Sequence, residues 1–185
     1  MSEEQLNAWR QAVDVFGACL AKVSDERLDS PTPCTDWVVA DLLSHVFEVQ
    51  TRTPTALGAS MDLAAPRTAV GWERLISQAE QVLAVSGRLG ETVTSGFGQM
   101  PAAVMLSVAT ADCLTHTWDL SRALGVDHGV PDDAALAALE FMRPLDELLR
   151  GPGMLAAKIS PPVDADVATQ LACFAGRDPK WRPSG

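Results

Sequence analysis

The sequence lacks a long apolar run, a paired-cysteine motif and an excess of basic residues, and each absence excludes a class of protein. No uninterrupted stretch approaches the roughly 20 apolar residues that a membrane-spanning helix needs. The 14 basic residues are outnumbered by 24 acidic ones, a net charge of −10, which argues against nucleic acids and anionic membranes as partners. The four cysteines are scattered and form no Cys-x-x-Cys motif, so we expect free thiols and exclude a zinc knuckle. They are Cys19, Cys34, Cys113 and Cys173.

Targeting signals and common nucleotide or nucleophile motifs are also missing. The first five residues are acidic and do not show the basic-then-apolar order of a signal peptide, so we expect a cytoplasmic protein. There is no Gly-x-Gly-x-x-Gly, no P-loop and no Gly-x-Ser-x-Gly. Without internal repeats or linkers, residues 1–185 are expected to form one domain. We place its core bundle at about 3–125 and its C-terminal helices at about 132–176.

What the sequence does contain is a helical period. Apolar residues recur at alternating steps of three and four in the first segment, at Leu6, Trp9, Val13, Phe16, Leu20 and Val23. Similar patterns, with proline and glycine as boundaries, predict helices over about 37–52 (bounded by Pro54), 69–86, 101–124 (closed by Gly125), 132–150 and 164–174. The fifth helix would be capped by Asp132 or Asp133 and kinked at Pro144.

These patterns predict an all-α fold, a four-helix bundle with additional short C-terminal helices. Residues 91–94 could be extended, but an isolated piece of this length is too short to make a sheet by itself. The least regular stretch is 53–68, which contains glycine, proline and many small residues.

The most informative residues for chemistry lie in the fourth helix. Asp112 is the only formally charged residue between 101 and 118, and His116, four residues on, shares its face. A carboxylate on a largely apolar helix is costly unless paired, and no lysine or arginine lies within one turn of it. Its partner is therefore His116, a group from another helix, or a metal ion. A buried Asp–His hydrogen bond and a two-ligand metal motif both remain open.

His45 is the candidate third ligand. It lies at the edge of the apolar arc of the second helix, beside Asp41 and Glu48, where its position alone favours a boundary histidine bonded to an acid. Combined with Asp112 and His116, it would complete a set of two nitrogens and one carboxylate. That set suits zinc, with iron, nickel and manganese as alternatives. Three ligands leave a position open, as in catalytic rather than structural sites.

Four further residues can be compared with such a site, and two of them, Asp119 and Glu48, are candidates to assist it. Asp119 could accept a hydrogen bond from His116 and orient it, or could form a surface ion pair with Arg122. Glu48 could transfer protons or be simply solvated, and solvation is favoured. His128 is interpreted as incidental. Cys34 is interpreted as packing, because no local base or cation would activate its thiol.

Several strings of the sequence resemble a known family. PTPCTDW (31–37), DLLSHV (41–46) and DCLTHTWDL (112–120) are similar to the metal-binding domain of mycothiol-dependent maleylpyruvate isomerase, a member of the DinB-like (YfiT-like) superfamily of four-helix bundles. FAGRDP (174–179) resembles the closing motif of a subfamily of single-domain actinobacterial proteins named only as metal-binding. The resemblance extends over nearly the whole chain.

The resemblance implies that His45, Asp112 and His116 bind a divalent metal, usually zinc, facing an open cleft. A low-molecular-weight thiol, mycothiol or a similar one, would bind there as co-substrate. The family often has glutamate where this sequence has Asp112. The isomerase also has a second, C-terminal domain that contributes a catalytic arginine. This sequence does not contain that domain, so we expect an activity other than strict maleylpyruvate isomerisation.

Two functions follow as hypotheses. One is a metal-dependent thiol transferase or isomerase-like enzyme, in which Asp119 and Glu48 are the candidate assisting residues. The other is a metal- or small-ligand-binding protein without turnover, with a sensing, storage or stabilising role. The expected partner is a small molecule or thiol; a homodimer is compatible with the sequence, but no stripe identifies its interface.

Overall fold

The computed structural model describes residues 2–96, 98–150 and 155–183, without the side chain of Ser2, and its fold is predominantly helical. The predicted all-α bundle is confirmed. Six α-helices are present in these residues, together with one two-stranded hairpin and short 3₁₀ turns. The helices are α1 (Ser2–Leu20), α2 (Val39–Ala56), α3 (Ala69–Leu83), α4 (Ala102–Leu124), α5 (Asp132–Met142) and α6 (Val167–Phe174).

The core forms where the apolar stripes of these helices meet. α4 is central: α1 packs along it most extensively, α2 packs beside it, and α5 and α6 cover it from the C-terminal side, while α3 closes the bundle against α1 and α2. Large side chains with almost no exposure fill the interior, among them Trp9, Phe16, Phe47, Leu106 and Trp118. No described helix combines the length and hydrophobicity required to cross a bilayer.

Two predictions about helix ends near proline are wrong. Pro54 does not end α2, which continues to Ala56. A proline so near a helix end removes one backbone hydrogen bond, while the Leu57 N–H still reaches the Thr53 carbonyl at 3.1 Å. Conversely, α5 stops at Met142 instead of continuing through a kink, because Pro144 cannot donate to the preceding turn. The chain proceeds as 3₁₀ turns at Arg143–Leu145 and Leu148–Arg150.

The N-terminal cap of α5 and the status of residues 91–94 also differ from expectation. Neither Asp132 nor Asp133 caps α5; both lie inside its first turn, and the capping position is Pro131. The extended residues are not isolated, because β1 (Thr92–Ser95) pairs antiparallel with β2 (Gly98–Pro101). The pattern of residues 98–101 gave no sign of this strand. The predicted closure of α4 at Gly125 is confirmed, with a left-handed φ of +71°.

A buried glutamine fixes α2 between α1 and α4. The Gln50 Oε1 atom accepts a hydrogen bond of 2.9 Å from Trp9 Nε1, and its Nε2 atom donates to the Ala109 carbonyl at 3.2 Å. Both of its polar atoms are therefore satisfied inside the core. These two hydrogen bonds form a bridge that fixes the position of α2 along the axis of α4. That position determines which residues of the two helices are in contact.

Replacing this bridge should destabilise the fold. Gln50→Ala leaves the Trp9 N–H buried without an acceptor and opens a cavity, so we expect the free energy of unfolding in urea to fall by about 2–3 kcal/mol. The matched control is Arg52→Ala, which removes only an exposed pair with Glu48 and should cost under about 0.5 kcal/mol. Equal losses in the two variants would show that Gln50 does not join the helices.

Candidate metal centre

The bundle brings His45 of α2 against Asp112 and His116 of α4. The His45 Nε2 atom lies 3.0 Å from Asp112 Oδ1, and His116 Nε2 lies 3.6 Å from the same oxygen. The three candidate ligand atoms all lie within 4.8 Å of one another. Asp112 and His116 are adjacent because they are one turn apart on α4. His45 joins them because α2 packs alongside.

The three side chains open towards solvent on the α2 side. The His116 side chain is only 5% exposed, whereas those of Asp112 and His45 are 23% and 26% exposed. His45 is thus at the boundary of the core, as its helical position predicts. The cluster is closed at His116 and accessible to a small molecule at His45.

Asp112 has unused capacity to bind a cation. Its Oδ1 atom faces the histidines, but its buried Oδ2 atom has no hydrogen-bond partner among the described residues. Burial raises the pKa of the carboxyl, but the attraction of His116, of His45 and of Arg177 outweighs burial, and the net pKa is lowered. The carboxylate is therefore ionised at neutral pH, with one oxygen free.

Behind His116 lies a second carboxylate. Asp119 is completely buried, and its Oδ2 atom is 3.0 Å from His116 Nδ1. The Nδ1 atom is not well aligned for a hydrogen bond to it, so the contact is an electrostatic one between close neighbours. It faces the ring nitrogen opposite Nε2, the position from which a partner orients a ligand histidine.

Asp119 pairs with Arg177 and not with Arg122, so the surface ion pair considered above is wrong. Arg177 Nε lies 3.2 and 3.1 Å from the two carboxylate oxygens, and Nη2 donates to Oδ2 at 2.9 Å. Arg122 instead lies over the Trp118 ring. Burial raises the pKa of Asp119, but Arg177 and His116 together lower it by more than burial raises it. The net shift of the pKa is downward.

Trp37 packs against both histidines. Its ring centroid is 4.8 Å from that of His45 and 5.6 Å from that of His116, nearly parallel to the latter. The two imidazole rings meet edge to face at 4.9 Å. An aromatic wall of this kind restricts ring rotation and excludes water from one side of the cluster.

The remaining candidates play smaller parts in the geometry. Glu48 is exposed and pairs with Arg52 at 3.1 Å, in line with the solvated interpretation. His128 contacts Asp166 at 3.3 Å, away from the cluster. Each cysteine is a free thiol, and all but Cys34 are buried.

Cys34 lies close enough to the cluster to sense its charges. Burial raises the pKa of its thiol; Arg177 opposes this, and Asp119 and Asp112 add to it, for a pKa of about 11. The thiol is therefore protonated at neutral pH, which agrees with a packing role and not with a nucleophile.

A cleft of about 700 Å³ opens beside His45. The cleft is lined by Trp37, which precedes α2, by Phe47 of α2, and by residues of the irregular segment 57–68. The absence of a side chain at Gly71 lets that segment pack closely against α3. A Cβ at this position would lie 1.9 Å from the Pro66 carbonyl oxygen. Apart from His45, the ionisable residues of its lining are four acids and one arginine: Asp36, Asp41, Glu48, Asp62 and Arg67.

Comparison with known families identifies the family of the chain. The family model described as the mycothiol maleylpyruvate isomerase N-terminal domain matches residues 9–121, more than half of the chain. The chain belongs to this family. The family is DinB-like, and the matched residues include all three members of the His45, Asp112 and His116 cluster.

Two curated relatives cover nearly the full chain. They come from Mycobacterium tuberculosis strains CDC 1551 and H37Rv and are each 32% identical in an alignment of 180 residues that covers 94% of this chain and 98% of theirs. Both are named only as uncharacterized proteins. No solved structure gives a significant match.

Sequence reasoning missed two residues of this isomerase-family site. One is Trp37, for which the available signal is its position just before the helix that carries His45. Arg177 lies 58 residues from Asp119, and nothing in the helical periodicity links the two. The one signal was that Asp119, on a helix with a buried face, required a cation from elsewhere.

The buried pair of Asp119 and Arg177 predicts a pH-dependent loss of stability. The pKa of Asp119 is lowered in the folded state, so its stabilising effect is present above the unfolded-state pKa of about 4 and lost as pH falls through the folded-state value. Asp119→Asn leaves Arg177 buried without its counter-charge, and should lower the free energy of unfolding at pH 7 by about 3–5 kcal/mol.

Urea unfolding of wild type and Asp119→Asn between pH 7 and pH 3 measures this effect. The difference between them should shrink as the pH falls below about 4, because the unfolded wild-type chain then gains a proton at Asp119 that the folded state, with its lowered pKa, binds only at lower pH. Asp29→Asn, at an exposed loop carboxylate, is the control and should stay within about 0.5 kcal/mol of wild type throughout. A pH-independent difference would contradict the ionised pair.

Proposed function

We propose that this protein binds one divalent metal ion, with zinc the best fit, through His45, Asp112 and His116. We further propose that it uses the ion in thiol transfer or a related isomerisation, with mycothiol or another low-molecular-weight thiol as co-substrate. The observation that carries the proposal is that two imidazole nitrogens and one carboxylate lie within 4.8 Å of one another, beside an Asp112 oxygen that has no hydrogen-bond partner among the described residues.

The donor set fits a metal in kind as well as in number. Separations of 3.0 and 3.6 Å between the histidine nitrogens and Asp112 Oδ1 are compatible with donors at about 2.0–2.2 Å from a shared zinc ion. Two nitrogens and one oxygen suit zinc; nickel, iron and manganese accept the same ligands. Three protein ligands leave a coordination position open, which supports a catalytic site over a structural one.

A bound divalent ion would supply the positive charge that keeps a thiol deprotonated, and thiolate is the reactive nucleophile. The chain's own residues would position the reactants. His45 and Asp112 face the accessible side, Trp37 covers the histidine rings, and the cleft beside His45 is large enough for a small thiol and its acceptor. Its carboxylates can accept hydrogen bonds from a hydroxyl-rich thiol such as mycothiol.

A binding role without turnover is the second candidate. It is favoured by one observation: Asp36, Asp41 and Glu48, three of the four carboxylates that line the cleft, are exposed to solvent. Exposed carboxylates can bind a ligand or an ion through hydrogen bonds and charge, which is all that a protein that senses or stores a metal or a ligand requires.

Metal content tests the ligand assignment. Wild-type protein purified and then loaded with zinc should retain about one ion per chain after dialysis, as measured by elemental analysis. His45→Ala and His116→Ala should each lose most of it, because two ligands hold zinc far more weakly than three. His128→Ala is the matched control, since it removes the third histidine of the chain away from the cluster. Equal metal content in all four proteins would contradict the assignment.

Thiol dependence separates the two functions. Zinc-loaded wild type should consume electrophiles from a panel of α,β-unsaturated carbonyl compounds and epoxides only when mycothiol or another small thiol is present. His45→Ala should lose this activity, whereas His128→Ala should keep it. Zinc retention without thiol binding or turnover on the whole panel would reject the enzyme and leave the binding role.

A further inference from the structure

The C-terminal segment contributes to the site through a side chain that lies beyond the residues matched by the family model. α6 ends in a tight reversal in which the Arg177 N–H bonds the Ala172 carbonyl at 2.9 Å and the Gly176 N–H bonds the Cys173 carbonyl at 3.0 Å. This is a Schellman motif, with Gly176 at the left-handed position, φ +88°. The reversal directs Arg177 back towards α4.

Glycine is required at this reversal for two reasons. A residue with a side chain rarely adopts a φ of this sign. In addition, a Cβ on Gly176 would lie 2.7 Å from the Cβ of Ala156. The geometry that aims Arg177 is therefore built into the local sequence. Arg177 is only 7% exposed, and its remaining donor, Nη1, bonds the Ala175 carbonyl at 2.9 Å.

We infer that Arg177 is a positioning residue for the proposed metal site, acting on His116 through Asp119. The guanidinium binds both oxygens of Asp119, and Asp119 Oδ2 in turn lies 3.0 Å from His116 Nδ1. This arrangement fixes the ring with Nε2 directed at Asp112. The inference rests on the proposed metal function, and it assigns a role to a residue outside the ligand set.

A purely structural role for Arg177, tying the C-terminal segment to α4, would leave metal affinity unchanged in a folded variant. Arg150 provides the matched control. It bonds the Phe174 carbonyl at 2.6 Å and lies over the Phe174 ring, so it also anchors α6. Its other hydrogen bonds among the described residues go to Asp146 and the Ala156 carbonyl, and not to the three cluster residues. Arg150→Gln therefore reproduces any general loosening of α6 without changing His116.

The experiment measures the zinc affinity of wild type, Arg177→Gln, Arg177→Lys and Arg150→Gln by competition with a chromophoric chelator. We expect Arg177→Gln to bind zinc about 10–100-fold more weakly than wild type, the usual effect of removing a partner behind a ligand histidine. Arg177→Lys, which keeps the charge but not the bidentate contact, should recover part of the loss. Arg150→Gln should stay within about twofold of wild type.

The outcomes separate the inference from the function it rests on. If wild type does not bind zinc, the metal function fails and the inference fails with it. If wild type binds zinc and folded Arg177→Gln binds equally well, or if Arg150→Gln weakens binding as much, the inference is wrong and the metal function stands.

A measurement on the wild-type protein keeps the inference testable if the Arg177 variants do not fold. In the zinc-loaded protein, long-range ¹H–¹⁵N correlation should place the His116 proton on Nδ1, facing Asp119, and leave Nε2 without one. A proton on Nε2 with Nδ1 unprotonated would overturn the positioning role.

Discussion

Asp112 is a carboxylate on a stretch of α4 that otherwise carries no formal charge, and the rest of the site follows from how it is compensated. Its helix supplies His116 one turn away, and α2 supplies His45. Neither contact uses Oδ2. A partly buried anion held by two histidines, with one oxygen unpaired among the residues that the structure describes, is an incomplete arrangement unless a cation completes it. The proposed metal ion provides that cation, and the open α2 side admits the molecule it would act on.

A second set of paired charges lies behind His116. Asp119 and Arg177 form a buried ion pair, which stabilises the fold only because its geometry is bidentate and its partners are satisfied. The same pair lies against the ring nitrogen that a metal ligand must keep protonated. Stability and site geometry therefore depend on the same contact, and the C-terminal segment that supplies Arg177 belongs to the site although it is distant in sequence.

Much of this arrangement could be predicted from the sequence, for identifiable reasons. Helical periodicity located the bundle, and the four-residue spacing of Asp112 and His116 placed both on one face. Interactions that depend on tertiary packing were not accessible: the pairing of β1 with β2, the reach of Arg177 to Asp119, and the contact of Trp37 with both histidines. The errors at Pro54 and Pro144 share one cause, since the effect of proline depends on how much helix follows it. The prediction of His45 as a third ligand depended on the family resemblance, because its helical position alone favours a boundary histidine bonded to an acid.

X-ray absorption at the zinc edge tests the central claim most directly, on wild-type protein loaded with one equivalent of zinc. The account predicts a shell of only nitrogen and oxygen at about 2.0–2.1 Å, with the outer-shell scattering of two imidazole rings. Sulfur at about 2.3 Å would place the ion on the cysteines instead. That result, or the signature of fewer than two imidazoles, would contradict a metal centre at His45, Asp112 and His116.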